Sequence, residues 1–243
     1  MQILLWGHMR AAFLGVVVCL AAQSRGTAQE AYFVIVFGSQ RPVINRPAHT
    51  HSWATFVRVA CDPVNPRTLT VEPHTVSWLP ATLKIRPLAF VAEPGVNLDL
   101  HRTLAWALDD DQRVTMWGPY QIDRALFERA LVKQSRLERG EVRYKADDTG
   151  YNSDQVSNCV HAVADISQGP RLRVGQPGWG ASASYFVALT YRPFIINEQT
   201  THDWLLDALT LRGYPIARRD LEDNPTRNVV LRAMQNVWQY RLR

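Results

Sequence analysis

The chain has 243 residues, 47% of them hydrophobic, with a formal net charge of +5. Such a chain can bury a sizeable core, so disorder is not its default reading, and no Lys/Arg run interleaved with aromatics supports a nucleic-acid-binding face. The charge is mild enough to leave only weak attraction to anionic polymers or lipid headgroups.

At the start, Arg10 precedes an apolar run from Ala11 to Ala22, and the small residues Gly26-Thr27-Ala28 follow. This order predicts a cleaved signal peptide over residues 1 to 28 and a single domain over 29 to 243. The run is shorter than the roughly 20 residues that a membrane span needs, so no permanent membrane span is expected. The mature protein is then secreted or periplasmic, and loss of Arg10 and Arg25 lowers its charge to +3. Cys61 and Cys159 remain, and export makes a disulfide between them an alternative to a free reactive thiol.

Tyr32 to Phe37 and His51 to Ala60 are β-branched and aromatic runs separated by a Pro-punctuated loop, and both predict strands. Thr68 to Trp78 and Ala81 to Arg86 predict two more, broken at Pro80. Helical spacing follows in Leu100, Leu104 and Leu108, then from Asp123, a cap, to Arg139. Trp117-Gly118-Pro119-Tyr120 reads either as a turn or, with Tyr151, as the wall of an acyl or sugar-peptide groove.

Val142 to Lys145 returns as a strand, Asp147 to Gly150 as a turn, and a helix runs to Ile166. With Ser153 as its cap Cys159 lies in the second turn; with Ser157 or Asn158 it lies in the first, where the helix dipole favours a thiolate. Gly169 to Ser184 predicts a surface loop and Tyr185 to Tyr191 is ambiguous. Thr201 to Leu211 and Asn228 to Tyr240 predict helices.

The chemistry-bearing residues are Cys159 and the histidines. A thiol and a distant imidazole can make a nucleophile and its base: Cys159 attacks an acyl carbonyl, His51 takes its proton, and His74 orients His51. His49 shares the strand face of His51 and competes as base. Asn158 caps the helix, His161 braces its first turn, and the backbone N–H of Cys159 offers an oxyanion donor. The absence of Cys-x-x-Cys, His-Glu-x-x-His and Gly-rich nucleotide motifs leaves no metal or cofactor implied.

The order of a His-bearing strand, a second imidazole and Asn158-Cys159-Val160-His161 on a helix resembles the circularly permuted papain-like thiol enzymes of the NlpC-type superfamily. The resemblance is to their lecithin retinol acyltransferase-like branch, whose nucleophile lies in an Asn-Cys-Glu-His tract, and it spans about residues 32 to 166. It implies an α+β fold with a small antiparallel sheet packed on the Cys159 helix and peripheral helices around it. It also implies an exported hydrolase or acyltransferase working through a thioester on a peptide or lipid acyl substrate. The rival class is a non-catalytic secreted binding module held by a Cys61–Cys159 bridge. In the family the histidine directly precedes a bulky and a small residue, whereas Ser52 separates His51 from Trp53-Ala54, a one-residue shift that turns the imidazole to the other sheet face.

Overall fold

The computed structural model describes residues 30–41, 49–61, 69–172 and 180–223. The expected signal peptide and the helix expected from Asn228 lie outside the described residues. The chain is α+β, with a larger sheet covered on both faces by helices and a smaller sheet beside one end of it.

The strand β1 (Glu30–Gln40) is the middle of the larger sheet, and its nine consecutive buried residues explain its unbroken apolar run: both faces are covered. It pairs antiparallel with β2 (Thr50–Cys61), placing Gly38 opposite Ser52 and Ser39 opposite His51. β3 (Leu69–Val76) pairs with β2 from Cys61–Leu69 only as far as Ala54–Val76. Thr50 to Trp53 therefore form a stretch of β2 with no β3 partner.

At Ser77 the chain leaves for the smaller sheet, formed by β4 (Trp78–Pro80), β5 (Glu93–Asn97), β7 (Arg143–Tyr144) and β8 (Val156–Ser157). Between β4 and β5 the expected strand at Ala81 to Arg86 is absent. Pro80 ends the ladder, its carbonyl accepts from the Leu83 N–H, and Leu83 takes a positive φ, so the segment opens as a turn.

Helix α1 (Leu100–Asp109), capped by Asp99, lies on one face of the larger sheet, where Leu100, Leu104 and Ala107 meet Phe33, Ile35, Phe37 and Trp53. β6 (Arg113–Ile122) follows and pairs with β1 on the side away from β2. The Trp117-Gly118-Pro119-Tyr120 tract lies inside this strand. The register slips between Val34 and Val36 so that the Gly-Pro pair forms a bulge, and Trp117 and Tyr120 are buried, not groove walls.

The other face is covered by α2 (Arg124–Glu138), capped by Asp123, and by α3 (Cys159–Ala164) and α4 (Ala181–Thr190). The ambiguous segment at Tyr185 is thus helical, and the expected loop ends at Gly180. A short α5 (Trp204–Ala208) returns to the α1 face, and β9 (Ile216–Arg219) adds a parallel edge strand to β6.

The approach of α4 to β1 depends on Gly38: a Cβ there would stand 2.4 Å from Ser184 Oγ and 2.8 Å from its Cβ. Gly38→Ala should cost about 1–3 kcal/mol by overpacking. Urea unfolding of the variant, read by a lower midpoint at an unchanged slope, checks this.

Candidate active site

Cys159 is the first residue of α3. Asn158 caps the helix, its Oδ1 accepting from the His161 N–H at 2.8 Å, so the thiol lies in the first turn and Val156–Ser157 is strand rather than helix. The thiol is free and buried, so the alternative bridge to Cys61 is not made.

What fixes this turn is Asp148, whose side chain is 2% exposed. Its carboxylate accepts from the Asn158 backbone N–H at 3.0 Å and from Asn158 Nδ2 at 2.9 Å. It also accepts from His161 Nδ1 at 2.7 Å and from Arg171 Nη2 at 3.0 Å. His161 Nε2 donates to the Leu172 carbonyl at 2.7 Å. Both ring nitrogens are committed, so His161 braces the helix start, and its imidazole is not offered to the thiol. Burial lowers its pKa, but the Asp148 carboxylate outweighs this and raises it, with Arg171 pulling the other way.

A cavity of about 420 Å³ opens beside the thiol. Its walls include Cys159 and Asn158, the Thr50–Ser52 end of β2, Tyr144, the Asp147–Thr149 turn, and Pro87 and Leu88. The backbone N–H of Ser52, on the stretch of β2 that has no β3 partner, faces sulfur 159 and favours its thiolate. Burial nevertheless pushes the thiol up to about 11, outweighing the N–H groups of Ser52, Val160 and Cys159.

His51 lines the same cavity but leaves β2 on the face of Trp53, as the one-residue shift leads one to expect. Its ring stacks 5.3 Å from Trp53 and meets Trp106 edge-on at 5.4 Å. Ser52, on the face of Ala54 and Phe56, bonds Ser184 Oγ at 2.7 Å. No hydrogen bond joins His51 to Cys159 among the described residues. His51 Nε2 is 2.9 Å from Ser77 Oγ, while its Nδ1 is buried without a partner. Burial lowers the His51 pKa to about 3.

The ring is oriented by Ser77 and not by His74. His74 pairs with Phe56 and packs its ring on Phe127, so it faces the α2 side, one residue out of phase with His51. Ser77 is itself held, its N–H donating to Asn97 Oδ1 at 2.8 Å and its carbonyl accepting from Leu98. The signal for it was in the alternation: Thr55 faces Thr75, so Thr75 and Ser77 share the face of Trp53 and His51. His49 bonds Asp110 Oδ2 at 2.9 Å and stays outside the cavity walls. Tyr151 is 42% exposed beneath Lys145 and also stands apart from the cavity.

Among the described residues no His, Cys, Asp and Glu are grouped to hold a metal ion, and no helix is long and apolar enough to cross a membrane. Comparison with family models, curated proteins and solved structures found no match.

The Asp148–His161 pair has a signature in pH. A histidine with a raised folded-state pKa contributes stability that is fully present below its ordinary value, 6.5, and is lost as pH rises through the folded value. The melting temperature of the wild type should therefore fall relative to His161→Gln as pH rises from 6.5 through the folded value, and the difference should level off above it. Asp148→Ala, which strands the buried His161 imidazolium and the buried donors of Asn158, should cost about 3–5 kcal/mol, measurable by chemical unfolding.

Proposed function

We propose that the protein is a cysteine-dependent hydrolase or acyltransferase that forms a thioester at Cys159, with His51 as base and Ser77 as the group that orients it. The observation that carries this reading is the His51 ring: Nε2 is engaged by Ser77, and the buried Nδ1 is unpartnered in a residue that shares its cavity wall with a free thiol. A neutral imidazole whose Nε2–H donates to a hydroxyl has its basic lone pair on Nδ1.

The helix of Cys159 and the ring of His51 lie on opposite faces of β2, so in this reading they meet only when entry of an acyl substrate shifts the Thr50–Ser52 end of that strand. The thiol proton moves to Nδ1 as the carbon–sulfur bond forms, and Ser77 Oγ steadies the imidazolium through Nε2–H. The Cys159 N–H stabilises the oxyanion, a placement worth about 2.7–4 kcal/mol per donor in other enzymes. As the tetrahedral intermediate collapses, His51 returns the proton to the leaving amine or alcohol. Water, an amine or an alcohol then resolves the thioester, setting hydrolysis against transfer. Peptide amides and lipid esters are the substrate classes in view.

The low basicity of His51 and the high pKa of the thiol mean that both are neutral at rest, unlike a pre-formed thiolate–imidazolium pair. Acylation by the free enzyme should then vary little with pH between about 3 and about 11 wherever the protein stays folded. A bell confined to the neutral range would contradict this.

Acylation is read directly by mass spectrometry after mixing the protein with an activated ester. Cys159→Ala should give no adduct, His51→Ala should slow its formation by about 10²–10⁴-fold, and Ser77→Ala by about 10²-fold through misplacement of the ring. His74→Ala should leave the rate unchanged. Equal labelling of wild type and His51→Ala would overturn the assignment.

The same neutrality favours a second reading, a secreted binding module that holds its ligand in this cavity without chemistry. Its disulfide element is already removed by the free state of Cys159. Saturable binding of an acyl compound to the wild type with no adduct at Cys159 would select it.

A further inference from the structure

We propose that the loop from Ile85 to Ala92 is a membrane-contacting surface that lays Leu88, Phe90 and Val91 into the headgroup layer of an anionic bilayer. Within four residues these side chains are 89%, 95% and 76% exposed, whereas the next most exposed large apolar groups of the described residues, Val132 and Ile196 at 62%, stand singly. A concentrated apolar tip of this kind marks an interaction site, whereas single exposed apolar residues do not.

The base of the loop is built, not loose. Ile85 is buried with Leu79 and Leu98, the Ala89 N–H donates to the Arg86 carbonyl at 3.1 Å, and Arg143 donates to the Ala92 carbonyl at 3.1 and 2.7 Å. An ordered base that leaves the apolar tip in water costs hydration unless something covers it.

Charge identifies the cover. Arg86 and Arg143 are exposed and line the loop hollow with the tip, and the acidic group among them, Glu93, is 14% exposed and paired with Arg86 at 2.7 Å, which leaves an excess of positive charge. Apolar side chains beside such an excess of positive charge match a surface whose acyl boundary lies beneath anionic headgroups. The loop is also continuous with the cavity: Pro87 and Leu88 line both the loop hollow and the space beside Cys159. Contact with the bilayer would bring the cavity mouth to the lipid surface. The surface itself requires no chemistry at Cys159.

The test is hydrogen exchange on the full-length protein, with vesicles of phosphatidylcholine and phosphatidylglycerol, with pure phosphatidylcholine vesicles, and without lipid. Exchange is read over the Leu88–Val91 peptide, so contact made by other segments does not enter. Mixed vesicles should slow exchange there by about tenfold, and pure phosphatidylcholine much less. Leu88→Ser with Phe90→Ser should abolish the protection, and Arg86→Glu with Arg143→Glu should remove its preference for anionic lipid. Exchange in this peptide that is unchanged by mixed vesicles overturns the proposal and leaves the tip to a protein partner. Cys159→Ala should keep full protection; protection of a wild-type protein that forms no adduct with the activated ester would sink the thioester reading and leave this one standing.

Discussion

A buried carboxylate organises this molecule. Asp148 satisfies the Asn158 backbone, the Asn158 side chain, His161 and Arg171, and so ties the start of α3 to the turn before β8 and to the segment after the helix. A lone carboxylate in such a place would be strongly unfavourable; four donors, two of them cationic, offset the lost hydration. The position of the thiol follows, because Cys159 is the residue after the one whose main chain and side chain the carboxylate grips. Tethering by charge rather than by apolar contact alone also makes the helix start respond to the protonation of His161.

The second constraint is the point at which β3 abandons β2. Up to Val76 the two strands form an ordinary ladder; beyond it, the smaller sheet takes β4 away and leaves the Thr50–Trp53 edge without a β3 partner. That edge supplies the Ser52 N–H that meets the sulfur and the position from which His51 reaches Ser77. A sheet interrupted in this way yields a cavity without needing a long loop, because the missing strand leaves its own width open.

Much of the fold was legible. Continuous apolar runs gave β1 and β2, and Asp123 and the leucine spacing gave α1 and α2, because those signals arise from burial and capping that act locally. β6 was missed since Gly118-Pro119 suggests a turn, while a bulge against β1 absorbs the pair within the strand. β9 is a four-residue edge strand whose pairing partner lies about a hundred residues away, so no local pattern announces it. At the site, the tract around Cys159 pointed to the helix start, and the extra residue at Ser52 pointed to the face of the imidazole. Asp148 lay unnoticed inside an ordinary turn motif, and Ser77 lay hidden because attention to histidines favoured His74 over the hydroxyl three residues on, which the strand alternation puts on the right face.

The arrangement of supports has a mechanical corollary. Ser77 stands where β3 of the larger sheet gives way to β4 of the smaller, and Cys159 begins a helix that follows β8 of the smaller sheet yet packs on the larger one, on which His51 also rides. The two junctions between the sheets are thus also the places that hold hydroxyl and sulfur, so a change in the angle between the sheets is felt there before it is felt elsewhere.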